Sequence, residues 1–440
     1  MPTRIAYGTR WISPADHPAR FDVIAGAVDW DGTCTDDGEN SYATLSNGFK
    51  PYFTGHSSCE LAIDYAGSCA QPACTTRVTY GAAWQRPAGH PAQYDDITGR
   101  VFWDNACRGG GGDMFGVLSN GFTPHFAGDC ALAFRWQGCA GVYANPVLPT
   151  GCADPGVVRD GDRYVMTCTS GDAADAFPLF ESTDLASWSA AGHVLPAAAR
   201  PAWATGAFWA PEIQHIGTSW VAYFSARHTS GRFAIGAAVA TSPLGPFVAR
   251  PEPLVLDANV GLIDASAFVA ADGTPYLMWK EDGNAQGQPT PIKARALAGD
   301  GVTLVGPVAT LITNDRAWED NLVEGPFVVE RAGTYYLFYS GNAYYDARYA
   351  VGVARATSPL GPYEKKPEPI LVTAGPWVGP GHCSVVSGPG GDDAMIYHAW
   401  REGMVNGPGD ERFPLVDQIV WSDGWPAVPA APSAGTRPLL

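Results

Sequence analysis

From residue 154 onward one frame recurs: a polar residue, a few apolar residues, a Gly-containing turn, then an aromatic run that alternates like a strand. It reads "DPGVVRDGDRYVM" from Asp154, "EIQHIGTSWVAY" from Glu212, "DASAFVAADGTPYLMW" from Asp264, "EGPFVVERAGTYYLFY" from Glu324 and "HCSVVSGPGGDDAMIYH" from His382, at intervals of 58, 52, 60 and 58 residues. A longer echo supports the period, since "WVAYFSARHTSGRFAIGAAVATSPLGPF" (220 to 247) returns as "YYLFYSGNAYYDARYAVGVARATSPLGPY" (335 to 363). Units of strand, turn and strand this short cannot bury a core alone and must stack on their neighbours. Four-stranded antiparallel units repeated radially make a β-propeller, so the expected fold is all-β and five-bladed. The inner strands of such a ring line a central channel. Asp154, Glu212, Asp264, Glu324 and His382 are therefore expected together at one mouth of it.

The first third follows a different period. "RIAYGTRWISPADHPARFDVIAGAVDWDGTC" (4 to 34) reappears as "RVTYGAAWQRPAGHPAQYDDITGRVFWDNAC" (77 to 107) with 16 of 31 positions identical, and "LSNGF" recurs at 45 and 118 with the same offset of 73. This is a tandem duplication, with repeats at about 4–74 and 77–142, ahead of a propeller domain at 143–440. Eight of the ten cysteines precede residue 153 (Cys34, Cys59, Cys69, Cys74, Cys107, Cys130, Cys139, Cys152), and only Cys168 and Cys383 follow. Such density reads as a disulfide-rich β module and hence an oxidising, extracellular compartment. If Cys74 and Cys152 are the displaced fourth members, each repeat holds four cysteines and two bridges. Zinc would need matching close pairs, and Cys69 with Cys74 is the single close one. The repeated aromatics Tyr7, Trp11 and Trp30, with Tyr80, Trp84 and Trp103, suit either the core of a small module or platforms for sugar rings.

Composition narrows the partners. A formal charge of −17 repels a phosphate backbone and no basic run is interleaved with aromatics, so no nucleic acid is expected. No apolar stretch approaches the roughly 18 residues of a membrane span, and no leader with charged, apolar and small-residue regions opens the chain. Fifty-two Gly, 37 Pro, 15 Trp, 18 Tyr and 18 Phe suit many short strands, with aromatic surface available for flat ligands.

Carboxylates gathered in a concave site titrate together, so one can stay protonated while another stays ionised. Hydrolysis of a glycosidic bond needs that division: an acid for the departing oxygen, and a base or nucleophile across the ring. A lectin-like propeller has no use for the pair, and a protein scaffold of the WD type would show a period near 40.

"ADPGVV" at 153, "FWAPEI" at 208, "LIDASAF" at 262, "VEGPFV" at 323, "GPGHCSV" at 379 and "VDQIVWSDGWP" at 416 together resemble glycoside hydrolase family 43 over roughly residues 143 to 430. The resemblance implies a five-bladed propeller and inversion at the anomeric carbon. It implies Asp154 as general base, Glu324 as general acid, and Asp264 as a third carboxylate that orients the acid and keeps it protonated near neutral pH. Trp209 and Glu212 would shape the sugar pocket or brace the second blade. His382 matches a family histidine that holds water or, in some members, helps seat a structural calcium ion; no cofactor is required. Arg412, in "DERFPLVDQIVW", would fix a sugar hydroxyl or a catalytic carboxylate, or make a surface ion pair. Fructan-cleaving relatives carry Arg-Asp-Pro where this chain has "IDAS", which argues against fructan. The expected activity is exo-acting release of terminal α-L-arabinofuranosyl residues from plant polysaccharide, with "KEDGNAQGQPTP" (280 to 291) closing one end of the channel. Endo-arabinanase, β-xylosidase and galactofuranosidase activities, and a non-catalytic carbohydrate-binding propeller, are the alternatives.

Overall fold

The computed structural model describes residues 142–440 apart from 408, 410, 430, 436, 439 and 440. Before residue 142 it describes the backbone of the strands and a scatter of other positions. The chain divides into two compact units, Met1–Gly141 and Val142–Leu440.

In the first unit the duplicated halves exchange equivalent strands. Val101–Trp103 of the second repeat joins the sheet of Pro2–Tyr7, Phe21–Ala25 and Leu61–Tyr65, while Asp29–Trp30 of the first joins Cys74–Tyr80, Tyr94–Thr98 and Leu132–Cys139. Each repeat thus completes the other's sheet. The ladder sets Cys74 opposite Cys139. Cys34, Cys59, Cys69, Cys107 and Cys130 lie outside the described residues, as do Trp11 and the side chains of Tyr7, Trp30 and Trp103. Tyr80 is core: it is 1% exposed, its ring lies 4.7 Å from that of Trp84, and its hydroxyl donates to Asp95.

The second unit is a ring of five antiparallel sheets. Blade 1 runs through Gly156–Asp160, Arg163–Thr167, Ala176–Ser182 and Ser189–Leu195; blade 2 through Trp209–Ile216, Ser219–Arg227, Phe233–Ala240 and Val248–Ala249. Blade 3 comprises Leu262–Val269, Pro275–Glu281, Ile292–Leu297 and Leu304–Ile312; blade 4 comprises Val323–Arg331, Thr334–Gly341, Ala350–Ala356 and Glu364–Lys365. Blade 5 has three strands, Trp377–Ser387, Asp393–Arg401 and Phe413–Gln418. The first strand of each blade is innermost and touches the first strands of both neighbours, including blade 5 against blade 1.

The apolar core lies between blades, because each sheet presents an apolar face to the next. Phe177 and Val165 of blade 1 pack with Phe224 and Ala234 of blade 2, and comparable clusters fill the gaps between blades 2 and 3, 3 and 4, and 4 and 5. Between blades 5 and 1, Ile396 and Val416 meet Val157 and Met166 together with Tyr143, Val147 and Leu148 from the start of the unit.

That start also closes the ring. Val142–Tyr143 pairs with Arg437–Pro438, Val147 N–H donates to the Pro414 carbonyl, and Cys152 N–H donates to the Arg412 carbonyl. Asn145 donates to the Val416 carbonyl and the Ser433 hydroxyl and accepts the Val416 N–H. Cys152 is bridged to Cys168. It therefore belongs to the propeller and not to the duplicated module, whose cysteines cannot number four in each repeat.

Candidate active site

The inner strands of blades 2 to 5 bend near their start. The pairing slips between Trp209 and Glu212, Ile263 and Ser266, Glu324 and Phe327, and Gly381 and Ser384. At the bend, or in blade 1 just before the strand, one residue is left-handed: Asp154 (φ 53°), Ala210 (44°), Asp264 (59°), Gly325 (58°) and His382 (49°). For the four that are not glycine this costs of order 1 kcal/mol or more, and it turns the side chain toward the axis. Aligned on this residue, Glu324 stands one position early and Glu212 two positions late.

The frame read from sequence is therefore out of register at blades 2 and 4. Asp154, Trp209, Asp264, Glu324, His382 and Arg412 all line one cavity of about 290 Å³. Glu212 does not. It is buried deeper along the channel, where its carboxyl meets Ser384 of blade 5 at 3.1 Å. A Cβ on Gly156 would come within 2.2 Å of the Pro211 carbonyl, so only glycine lets blades 1 and 2 close over that point.

A side chain of the preceding blade holds the N–H of each left-handed residue. Thr169 accepts from Ala210, Ser225 from Asp264, Ser340 from His382, and Nδ1 of His398 from Asp154, at 2.7–3.0 Å. In blade 3 the corresponding residue, opposite Ile263, is Lys280, which has no lone pair to offer. There Oδ2 of Asp264 itself accepts the Gly325 N–H at 2.9 Å. One carboxylate oxygen of Asp264 is thus committed to fixing the strand that carries Glu324.

Asp154 receives Arg412 Nη1 on Oδ1 at 2.8 Å and the Thr169 hydroxyl on Oδ2 at 2.6 Å. His382 and His398 stand 3.5 and 3.3 Å from the same Oδ1. Burial pushes this carboxyl up, but the Arg412 guanidinium, then His382, hold it well below the usual carboxylate range. Asp154 is ionised. Burial and Arg412 push His398 down to about 4, so it is neutral.

Glu324 has a different environment from the one expected. Lys280, 1% exposed, bonds its Oε2 at 2.9 Å, and the Tyr349 hydroxyl donates to Oε1 at 2.8 Å. Burial pushes Glu324 up, yet Lys280 and Tyr349 bring it below its ordinary value. Asp264 moves the other way: burial outweighs the pull of His382, and the charge of Glu324 adds to the push, lifting it to about 6. In this arrangement the first proton goes to Asp264 and Glu324 is ionised, the reverse of the expected order.

Sequence reasoning missed Lys280, Tyr349, Thr169, His398 and Asp282. Lys280 left one signal, a lone cation ending the apolar run "PYLMWK". Arg412 proves to be a ligand of a site carboxylate: it bonds Asp154 and lies 4.6 Å over the Tyr344 ring. Trp209 stacks on Phe233 at 4.3 Å, which braces it as a wall of the cavity. The segment 280–291 contributes Lys280, Asp282 and Asn284 to the lining. Calcium takes six to eight oxygen ligands, whereas His382 is surrounded by Asp154, already neutralised by Arg412, and by a second imidazole. Among the described residues no group of three or more His, Cys, Asp or Glu could hold a metal ion. A calcium ion near His382 would therefore have to draw most of its ligands from water.

The family model described as glycosyl hydrolases family 43 matches residues 143–426. The chain is 26% identical to an extracellular exo-α-(1→5)-L-arabinofuranosidase of Streptomyces avermitilis, over 68% of this chain and 65% of that protein. It is 28% identical to a β-D-galactofuranosidase of Aspergillus niger, over 65% of this chain and 84% of that one. A crystal structure of a thermostable family-43 glycoside hydrolase superposes with a TM-score of 0.63 at 33% identity, covering 68% of this chain and 98% of that one.

Proposed function

Because this chain belongs to glycosyl hydrolases family 43 and is a glycoside hydrolase, we propose that it removes terminal α-L-arabinofuranosyl residues from plant polysaccharide, with inversion. One observation carries the reading: a single cavity joins a carboxylate held ionised, Asp154, to a coupled pair that holds a proton near pH 6, Asp264 with Glu324. Water bonded to Asp154 attacks the anomeric carbon and gives its proton to that carboxylate as the glycosidic C–O bond breaks. Glu324, supplied with the proton that Asp264 holds at rest, gives it to the departing oxygen, leaving Asp154 protonated and the Asp264–Glu324 pair one proton short until solvent restores both. Asp264 is the nearby reservoir from which Glu324 is reprotonated.

A cavity of about 290 Å³ has room for one sugar ring and a few waters at about 30 Å³ each. Tyr344, Tyr345 and Asn284 wall it, which supports release of single terminal residues over cleavage within a chain. The similarity to the Streptomyces avermitilis enzyme supports the arabinofuranosyl assignment. Its description as extracellular, with the Cys152–Cys168 bridge, supports secretion. The test is release of 4-nitrophenol from aryl α-L-arabinofuranoside, β-D-xyloside and β-D-galactofuranoside by wild type and Glu324→Ala. The expected result is one strong arabinofuranoside signal that the variant loses. A β-D-galactofuranoside signal would transfer the assignment to the activity of the Aspergillus relative, and silence across the panel from folded protein would favour an endo-acting enzyme or a binding propeller.

A further inference from the structure

Lys280 occupies the position that in the other blades holds the neighbouring strand. Ser225, Ser340 and His398 lie opposite the residue before the left-handed one, and each accepts an N–H from the next blade. Blade 3 alone has a cation there, and its ammonium turns into the cavity between two carboxylates, Glu324 at 2.9 Å and Asp282 at 3.0 Å. We propose that Lys280, shared between Asp282 and Glu324, is the positioning residue that governs when Glu324 carries its proton. The inference rests on the reading of Glu324 as the acid.

The geometry gives the reason. With Lys280 on Oε2 and the Tyr349 hydroxyl on Oε1, both oxygens of Glu324 accept hydrogen bonds, and the ammonium at contact distance opposes a proton on the carboxyl. Glu324 takes up a proton most readily when the ammonium withdraws. Tyr349 is 1% exposed and packs on Gly381, where a Cβ would come within 2.0 Å of its ring, so it is locked in place. Lys280 can move, because Asp282 already holds it. Asp282 is the more solvated of the two carboxylates, with its side chain 22% exposed against 11% for Glu324. A glycosidic oxygen reaching Glu324 takes the place of the ammonium, which shifts to Asp282. Glu324 then takes up a proton from Asp264 or solvent. Asp264, Asp154 and His382 are the other charged or titratable groups facing the pair.

The probe is the infrared carboxyl band of Glu324, assigned by subtracting the spectrum of Glu324→Gln and followed against pH. Lys280→Met should raise the midpoint by about 1 to 3 pH units, the usual effect of an opposite charge at contact distance. Asp282→Asn should lower it, because the ammonium is then left to Glu324 alone. Lys280→Arg, which keeps the charge, should leave the midpoint near that of wild type. The alkaline limb of kcat/KM on an aryl glycoside with a poor leaving group should move with the midpoint. If Lys280→Met does not fold, the opposite-signed shift in Asp282→Asn still decides the matter. Midpoints unmoved in the folded variants would overturn the role of Lys280. Full turnover by Glu324→Gln on the poor leaving group would instead overturn the assignment of the acid.

Discussion

Two buried carboxyls, Asp154 and Glu212, lie on neighbouring blades and have opposite proton affinities. Asp154 is depressed, so its contribution to stability is present above its unfolded value and is lost as pH falls through the folded one. Arg412→Met removes the guanidinium that overcomes burial. The acidic limb of kcat/KM should then move to higher pH, acid unfolding should begin earlier, and stability should fall by about 3 kcal/mol as a buried charge loses its partner. A pH-rate profile beside urea melts would check all three. Glu212 is raised by burial to about 8, with Ser384 opposing. Its contribution is present below the ordinary value of 4.5 and is lost as pH rises through about 8. The Ser384 hydroxyl has one proton to share between the Pro155 carbonyl at 2.8 Å and the Glu212 carboxyl at 3.1 Å. Glu212→Gln retains a donor and cannot ionise. Its melting temperature should be flat across that interval, where wild type declines.

At the axis the N–H of each left-handed residue is held by one side chain of the preceding blade, and these hydrogen bonds can be broken one at a time. Ser340→Ala leaves the His382 N–H buried without an acceptor, which should cost about 1 to 3 kcal/mol in chemical denaturation. Turnover should fall with it, because His382 faces Asp154. The same element explains what could be read from the sequence. Five blades were legible because every unit alternates apolar residues toward two neighbours, a demand written in side-chain identity. Asp154 and Asp264 were legible because the polar residue that opens the frame is also the left-handed one. At blades 2 and 4 the left-handed residues are Ala210 and Gly325, and nothing in an Ala or a Gly announces a role at the axis. Counting from the first polar residue therefore slid Glu212 into the cavity. Lys280 was hidden for a related reason: it ends an apolar strand, and its meaning appears only when Ser225, Ser340 and His398 are seen to occupy its place elsewhere. The expected protonation of Glu324 failed because a neighbouring carboxylate was legible and the neighbouring ammonium was not.

At the scale of the whole molecule, the segment between the two units is part of the second. Asn145→Ala should loosen the join between the ends of the propeller and lower its melting temperature while sparing KM, since Asn145 does not line the cavity. Opening the Cys152–Cys168 bridge, which closes a loop of 16 residues, should cost about 3 kcal/mol, measured as the difference between oxidised and reduced protein. A chain beginning at Val142 retains both features and should turn over a small aryl glycoside at the wild-type rate. The ring closure also sets a timetable. Asp154 belongs to the first blade made, but the Arg412 that keeps it ionised is 258 residues further along the chain. At roughly 5 to 20 residues per second a ribosome needs about 13 to 50 seconds to cover that distance. Until then Asp154 lacks the guanidinium that holds it ionised, and any product truncated within that stretch lacks it for good.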